Sequence, residues 1–389
     1  MPEYLTPGVY IQELPEGPRL ISGVGTSSAV FIDVFPQGPV NKAVPVNSFA
    51  EFESVFGGLD TRSEAGFAIQ QYYLNGGHSC WVIRVDDNGG AEAFVGDAAA
   101  QAGMYALEGI APDIFNIMCI PAAANLDQNG FTAVISAAEK YCLDKRAFLI
   151  VDIPSAINTT GKMLSWMETN HSLRHQNAAV YFPRLEIPDP LNPGGTRNVG
   201  ASGTLAGVYA HTDETRGVWK APAGAEADLG GANVAVQLTD SENAVLNPLG
   251  INALRNFPAI GNVSWGARTL AGSNQEASEW KYIPVRRLAL YLEESLYQGS
   301  KWVNFEPNDD LLWSQIRLSF GAFMTGLFRA GAFQGNKPEA AFFVKCDGAT
   351  TTQADIDRGI VNILVGFAPT NPAEFILLEI QQMAGQVGS

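Results

Sequence analysis

His171 and His175 stand four residues apart, the commonest spacing for two metal ligands on one helix face. No third ligand accompanies them, and Asn170 and Asn177 beside them read as a fraying helix end, so the pair is expected to be polar surface. Glu293-Glu294 and Asp309-Asp310 offer paired carboxylates, but adjacent helical residues point to different faces, and solvated surface or helix capping accounts for them. Cys80, Cys119, Cys142 and Cys346 lack CxxC spacing and read as buried free thiols. No GxxxxGK(S/T) run occurs, so there is no phosphate-cradling loop of that type. Arg286 and Arg287 fall near the start of a helix, where the dipole disfavours cations. At least one is expected to pair with an acid, either on another molecule or in the same domain. No catalytic, cofactor-binding or metal-ligating set emerges.

A chain of 389 residues is too long for one ordinary core and is expected to form two packed domains with room for a subdomain. Hydrophobic residues at 46% against charged residues at 16% leave a thin charged surface, much of it available to be covered by something else. The formal charge of −16 repels phosphate backbones and argues against a nucleic-acid partner. Met1-Pro2-Glu3-Tyr4 lacks the basic start of a signal peptide, and no run of about 18 apolar residues exists. Synthesis in the cytoplasm, without membrane insertion, is the expectation.

Residues 1–20 read as an extended arm: Pro2, Pro7, Pro15 and Pro18 forbid a helix, while Gly8-Val9-Tyr10-Ile11-Gln12-Glu13 has strand chemistry. From residue 21 strands and helices alternate. Ala29 to Ile32 predicts a strand, Ser48 with Glu51 a capping box opening a helix that ends at Gly57-Gly58, and Ser63 to Leu74 a second helix before the strand Cys80 to Val85. Residues 89–103 are weakly patterned. Continuous apolar runs at 114–120 and 147–151 bracket a helix near 131–143; a helix over about 158–171 leads to the strand Ala178 to Phe182, and 183–200 reads as a long surface loop. Strands apolar on both faces indicate a doubly wound, mostly parallel α/β domain over 21–275.

A smaller α+β domain is expected over 276–368. It has a helix over 282–298, a second capped by Asn308 with the stripe Leu312, Ile316, Phe320, Phe323, Leu327, and two strands, 341–346 and 359–366, able to pair. Residues 369–389 form a second arm. After Pro369-Thr370-Asn371-Pro372, Phe375-Ile376-Leu377-Leu378-Glu379-Ile380 is one more apolar strand with nothing after it in the chain to cover it. The two terminal strands, on proline-containing linkers, either add to a neighbour's sheet or fold back on their own.

A series of motifs now resembles a known family. Thr6-Pro7-Gly8-Val9-Tyr10-Ile11-Gln12-Glu13 is similar to the opening signature of contractile tail sheath proteins, followed there by a stretch like Ile21 to Ala29. Phe56-Gly57-Gly58, Tyr73 to Gly77, Trp81 to Val85, Val285 to Leu288, Trp302 to Asn308, Gly331 to Gly335, Ala340 to Asp347 and Pro372 to Phe375 continue the match in order. The resemblance implies a structural subunit without cofactors, with Gly8, Val9, Tyr10, Ile11, Gln12, Glu13 and Phe375, Ile376, Leu377, Leu378, Glu379, Ile380 as inter-subunit arm contacts. It implies six-fold rings around an inner tube protein, capped by baseplate and terminal proteins, that contract from a metastable state to drive the tube through an envelope. Arg286 and Arg287 then become candidate subunit or tube contacts. The competing reading is an α/β enzyme or binding module with a ligand cleft at the strand C-termini. Gly25 to Ala29 is similar to the nucleophile stretch of subtilisin-type proteases, but it stands at the wrong end of the chain and no histidine lies in a partner motif.

Overall fold

The structure, a computed structural model, describes residues 19–87 and 89–374. It divides into a large unit, Val24–Glu293 with residues 370–374, and a small unit, Glu294–Pro369 with residues 19–23.

The large unit opens with β1 (Ala29–Asp33), β2 (Ala43–Val46), α1 (Phe49–Phe56), α2 (Glu64–Leu74) and β3 (Cys80–Arg84). Ser48 caps α1 by accepting the Glu51 N–H, while the Glu51 carboxylate reaches back to the Asn47 N–H, one residue earlier than a reciprocal capping box requires. There follow α3 (Gly90–Val95), a 3-10 helix (Gly103–Ile110), β4 (Ile117–Cys119), α4 (Gln128–Asp144), β5 (Phe148–Val151), α5 (Thr160–Thr169) and β6 (Ala178–Phe182). Then come β7 (Leu185–Pro188), β8 (Thr196–Val199), α6 (Ser202–Arg216), β9 (Asn233–Val234), α7 (Asp240–Leu246), β10 (Ile251–Phe257) and β11 (Gly261–Ser264).

Eight strands form one sheet in the order β11-β10-β6-β5-β4-β1-β3-β2. The pairings from β10 through β3 are parallel, and β11 and β2 add at the edges antiparallel. Alternate residues of each strand enter opposite cores. Ala29, Phe31, Phe148, Ile150 and Tyr181 pack with α1, α2 and α6; Val30, Ile32, Leu149, Val180 and Phe182 pack with α3, α4 and α5. Both faces are covered, which is why the strands read as unbroken apolar runs. The large, mainly parallel sheet in a mixed α/β fold is as the sequence reading had it.

Three local outcomes differ from that reading. Residues 183–200 hold a hairpin, with β7 pairing β8 and β9 antiparallel, and Leu185, Ile187 and Val199 are buried. The weakly patterned stretch contains α3 and leads into the 3-10 helix, which begins at its last residue, Gly103. Helix α6 is buried almost all round and shows no stripe; it lies so close to α2 that a Cβ on Gly203 would sit 2.2 Å from the Ala68 carbonyl oxygen.

Helix α8 (Ile283–Gly299) contains the division between the units. The small unit continues with α9 (Asp310–Arg329), α10 (Pro338–Ala341), β12 (Phe342–Lys345), α11 (Gln353–Asp357) and β13 (Leu364–Phe367). Asp309, not Asn308, caps α9, accepting the Leu312 N–H at 2.9 Å. Asn308 instead accepts from the Trp313 indole at 2.9 Å and donates to the Ile360 carbonyl at 3.0 Å. Leu312, Trp313, Ile316, Phe320 and Cys346 form this unit's core.

Candidate functional site

In a doubly wound sheet the place for a ligand is the crevice at the strand C-termini, where the strand order reverses. Here that is between β1 and β4, and the chain's own carboxylates fill it. Asp33, at the end of β1, accepts from the Val34 N–H (2.7 Å), the Ala65 N–H (2.8 Å) at the start of α2 and the Ser63 hydroxyl (3.1 Å). Asp152, just past β5, accepts from the Ser202 N–H (2.9 Å) at the start of α6 and from its hydroxyl. Glu64 accepts from the Gly200 N–H (2.6 Å) and from the buried Arg184 guanidinium. The helix N-termini that would hold an anion are thus occupied by side chains. Burial pushes Asp33 up to about 7 and Asp152 up to about 6, partly offset by these hydrogen bonds.

The residues singled out for chemistry disperse. Helix α5 ends at Thr169, so His171 and His175 share no helix face; His175 accepts the Asn177 N–H at 3.0 Å and is held below its ordinary range by burial and by Arg286. Among the described residues no three metal-ligating side chains cluster. All four cysteines are buried free thiols. The stretch around Ser27 and Ser28 serves β1: the Ser27 carbonyl accepts the Tyr72 hydroxyl and the Ser28 N–H donates to Asn116.

Arg286 and Arg287 are both buried in the large unit. Arg287 forks onto Asp213 (2.8 and 2.6 Å), donates to the Thr26 carbonyl at 2.9 Å and stacks on Tyr209 at 4.7 Å. Arg286 donates to Asn177 (2.7 Å) and Glu293 (3.3 Å) and stacks on Trp280 at 4.7 Å. Each has an acid within its own unit, one of the two arrangements the sequence allowed. No helix among the described residues is long and apolar enough to cross a membrane.

The small unit presents the opposite condition. Strands β12 and β13 pair antiparallel, Phe342 with Phe367 through Lys345 with Leu364, and among the described residues no third strand joins either edge. One face, Val344 and Val365, meets the small core; on the other, Phe343 lies over Gly366 at 45% exposure and Leu364 is 52% exposed. An isolated two-stranded sheet is marginal in water. Leu311 and Leu318, one face of α9, and Phe305 are exposed as well. The sequence stripe on α9 found the buried face and missed this one, because Leu311 and Leu318 carry the same residue type as the core and only packing tells them apart. At the start of the described chain Arg19 stacks on Trp302 at 4.6 Å and faces Glu306 at 3.9 Å, and Ile21 packs beside Gly299. The two runs expected from the sequence to be terminal strands, Gly8, Val9, Tyr10, Ile11, Gln12, Glu13 and Phe375, Ile376, Leu377, Leu378, Glu379, Ile380, lie outside the described residues.

A large unit whose ligand edge is closed, and a small sheet that no third strand joins among the described residues, define a structural assembly subunit. Residues 275–383 match the family described as phage tail sheath C-terminal domain. The tail sheath protein of Vibrio phage KVP40 is 26% identical over 91% of this chain, which spans 57% of that protein's length. The sheath complex of the extracellular contractile injection system PVC, in its contracted state, superposes with a TM-score of 0.77 and 28% identity over 98% of this chain and 99% of that one. The helical sheath of the anti-feeding prophage, also contracted, gives 0.75 and 30% identity over 98% and 100%. The chain belongs to the contractile tail sheath protein family, whose members are structural proteins and not enzymes.

Proposed function

We propose that this chain polymerises with copies of itself into stacked six-fold rings around an inner tube protein, held by baseplate and terminal cap proteins. The sheath so formed contracts from a metastable extended state and drives the tube through a target envelope, without a cofactor. The observation that carries this reading is the β12–β13 sheet, which no third strand joins among the described residues and whose edges suit strands supplied from outside the subunit body. The arms, residues 1–20 and 369–389, supply the donor strands: an extended run of about 20 residues reaches roughly 60 Å, far enough to enter a neighbouring copy. A strand added to such an edge makes about four to six backbone hydrogen bonds, each worth on the order of 1 kcal/mol net. One joint is modest, but two per subunit repeated over a lattice make a cooperative polymer. The contracted relatives supply the reason to assign contraction, and the acidic, closed body supplies none for a nucleic-acid or small-molecule substrate.

Deleting residues 1–14 and, separately, 375–389 tests the reading by electron microscopy. Each deletion is expected to leave a folded chain that forms no long tubes; long tubes from both truncated chains would rule out strand exchange.

A further inference from the structure

The chain leaves the small unit at Pro369 and by Glu374 is back on the large one. There the Glu374 carboxylate meets a fork. Arg268 donates through Nε to Oε1 at 2.7 Å and through Nη2 to Oε2 at 2.6 Å, and the Tyr282 hydroxyl donates to Oε2 at 3.1 Å. Arg268 is only 1% exposed, and its remaining nitrogen is already committed to the Gly272 carbonyl at 3.3 Å and to Asn274 at 2.9 Å. Its backbone is held too: its N–H donates to the Asn252 side chain at 2.7 Å, and Asn252 donates in turn to the carbonyls of Arg268 at 2.7 Å and Val180 at 3.1 Å. Gly272 has no room for a side chain, since a Cβ there would lie 2.5 Å from the Lys281 carbonyl oxygen.

Each part of this receptor except the carboxylate comes from residues 180–282. A buried ion pair is seldom a net gain over apolar packing of the same volume, so stability alone is a poor reason to keep one. A bidentate arginine–carboxylate pair does fix direction, because both oxygens must lie in the guanidinium plane. Burial alone would raise the pKa of Glu374; Arg268 and Tyr282 hold it below the ordinary carboxylate range, so the clamp stays charged at neutral pH.

We infer that Arg268 and Tyr282 form a clamp for Glu374 that fixes the point and direction from which the C-terminal strand leaves the large unit. Pull on that strand then passes through Arg268 and Asn252 into β10 and β6, the frame of the large sheet. Arg268 is a positioning residue, and the inference rests on the strand-exchange reading above.

Arg268→Met in the full chain tests it, because methionine fills the site while Glu374, already at the rim, can turn to solvent. In the unassembled chain, a spin label at Ala373→Cys, an exposed position, is expected to show about a tenfold rise in its detached, mobile fraction once the charged hydrogen-bonded pair is lost, with hydrogen exchange of β4 to β6 unchanged. Tubes formed by this variant should be few, short and irregular. An unchanged mobile fraction overturns the clamp, and a higher one with normal tubes overturns its positioning role. Should Arg268→Met fail to fold, Tyr282→Phe reads the same label with an expected rise of about fivefold, the loss of one hydrogen bond. If the chains lacking 1–14 and 375–389 both still form long tubes, strand exchange fails while the clamp is judged on label mobility alone.

Discussion

The two sheets of this molecule are finished in different ways. The large sheet closes itself. Pro45 in edge strand β2 lacks a donor, and the far edge, β11, is covered by the segment around Ala227 and Leu229, which bonds to Ser264 and Asn262. Its faces carry two cores and its ligand edge is plugged by Asp33, Asp152 and Glu64. The small sheet has two strands, half-exposed Phe343 and Leu364, and Lys345 as its only charge. A subunit that must hold its shape needs the first kind of sheet, and one that must join its neighbours needs the second.

The sharpest way to break the comparison is inside the closed unit. Asp213→Asn leaves Arg287 buried beside a neutral partner and should cost about 3–5 kcal/mol in chemical denaturation. A loss under about 1 kcal/mol would mean that this unit is no more finished than the small one.

Burial raises Glu139 to about 8 and Asp33 to about 7, so the folded state holds more protons than the unfolded one between about pH 4 and 8. Stability from these groups is full below their unfolded values and is lost as pH rises through the folded ones. Glu139→Gln should therefore exceed the parent chain by on the order of 3 kcal/mol at pH 8, with the gap closing toward pH 4 in melts. Glu374 and Glu108, held low by Arg268 and Lys145, act oppositely and lose their contribution only as the pH falls into the acid range.

In the open sheet, Phe343→Ser should change folding by about 1 kcal/mol or less, since the ring is half-exposed. It should nevertheless reduce tube yield in electron micrographs. A large loss of folding stability with normal assembly would reverse the roles given to the two sheets. The smallest effect belongs to Arg19→Ala, an exposed cation over Trp302, expected within about 1 kcal/mol.

The alternating strands and helices of the large sheet were legible because residues buried on both faces leave continuous apolar runs, as at 147–151. Capping by Ser48 was legible because it depends on residue type within one turn. The hairpin at 183–200 was hidden by Pro and Gly, and α6 by burial on all sides, which erases the stripe that marks a surface helix. Pro372 to Phe375 entered as part of a motif, yet Glu374 had no assigned role, because its partner lies 106 residues away in a stretch with no pattern.

By itself the sequence determined what depends on neighbours along the chain: the period of each element, the caps, the low surface charge and the collinear motifs of a sheath protein. Only the tertiary structure decided which arginines are satisfied within the chain, which leucines of α9 face water, and that the ligand edge of one sheet is filled while, among the described residues, no third strand joins the other. Those outcomes depend on contacts between distant residues. A single side chain has the same chemistry whether it is buried or left open until the fold places it.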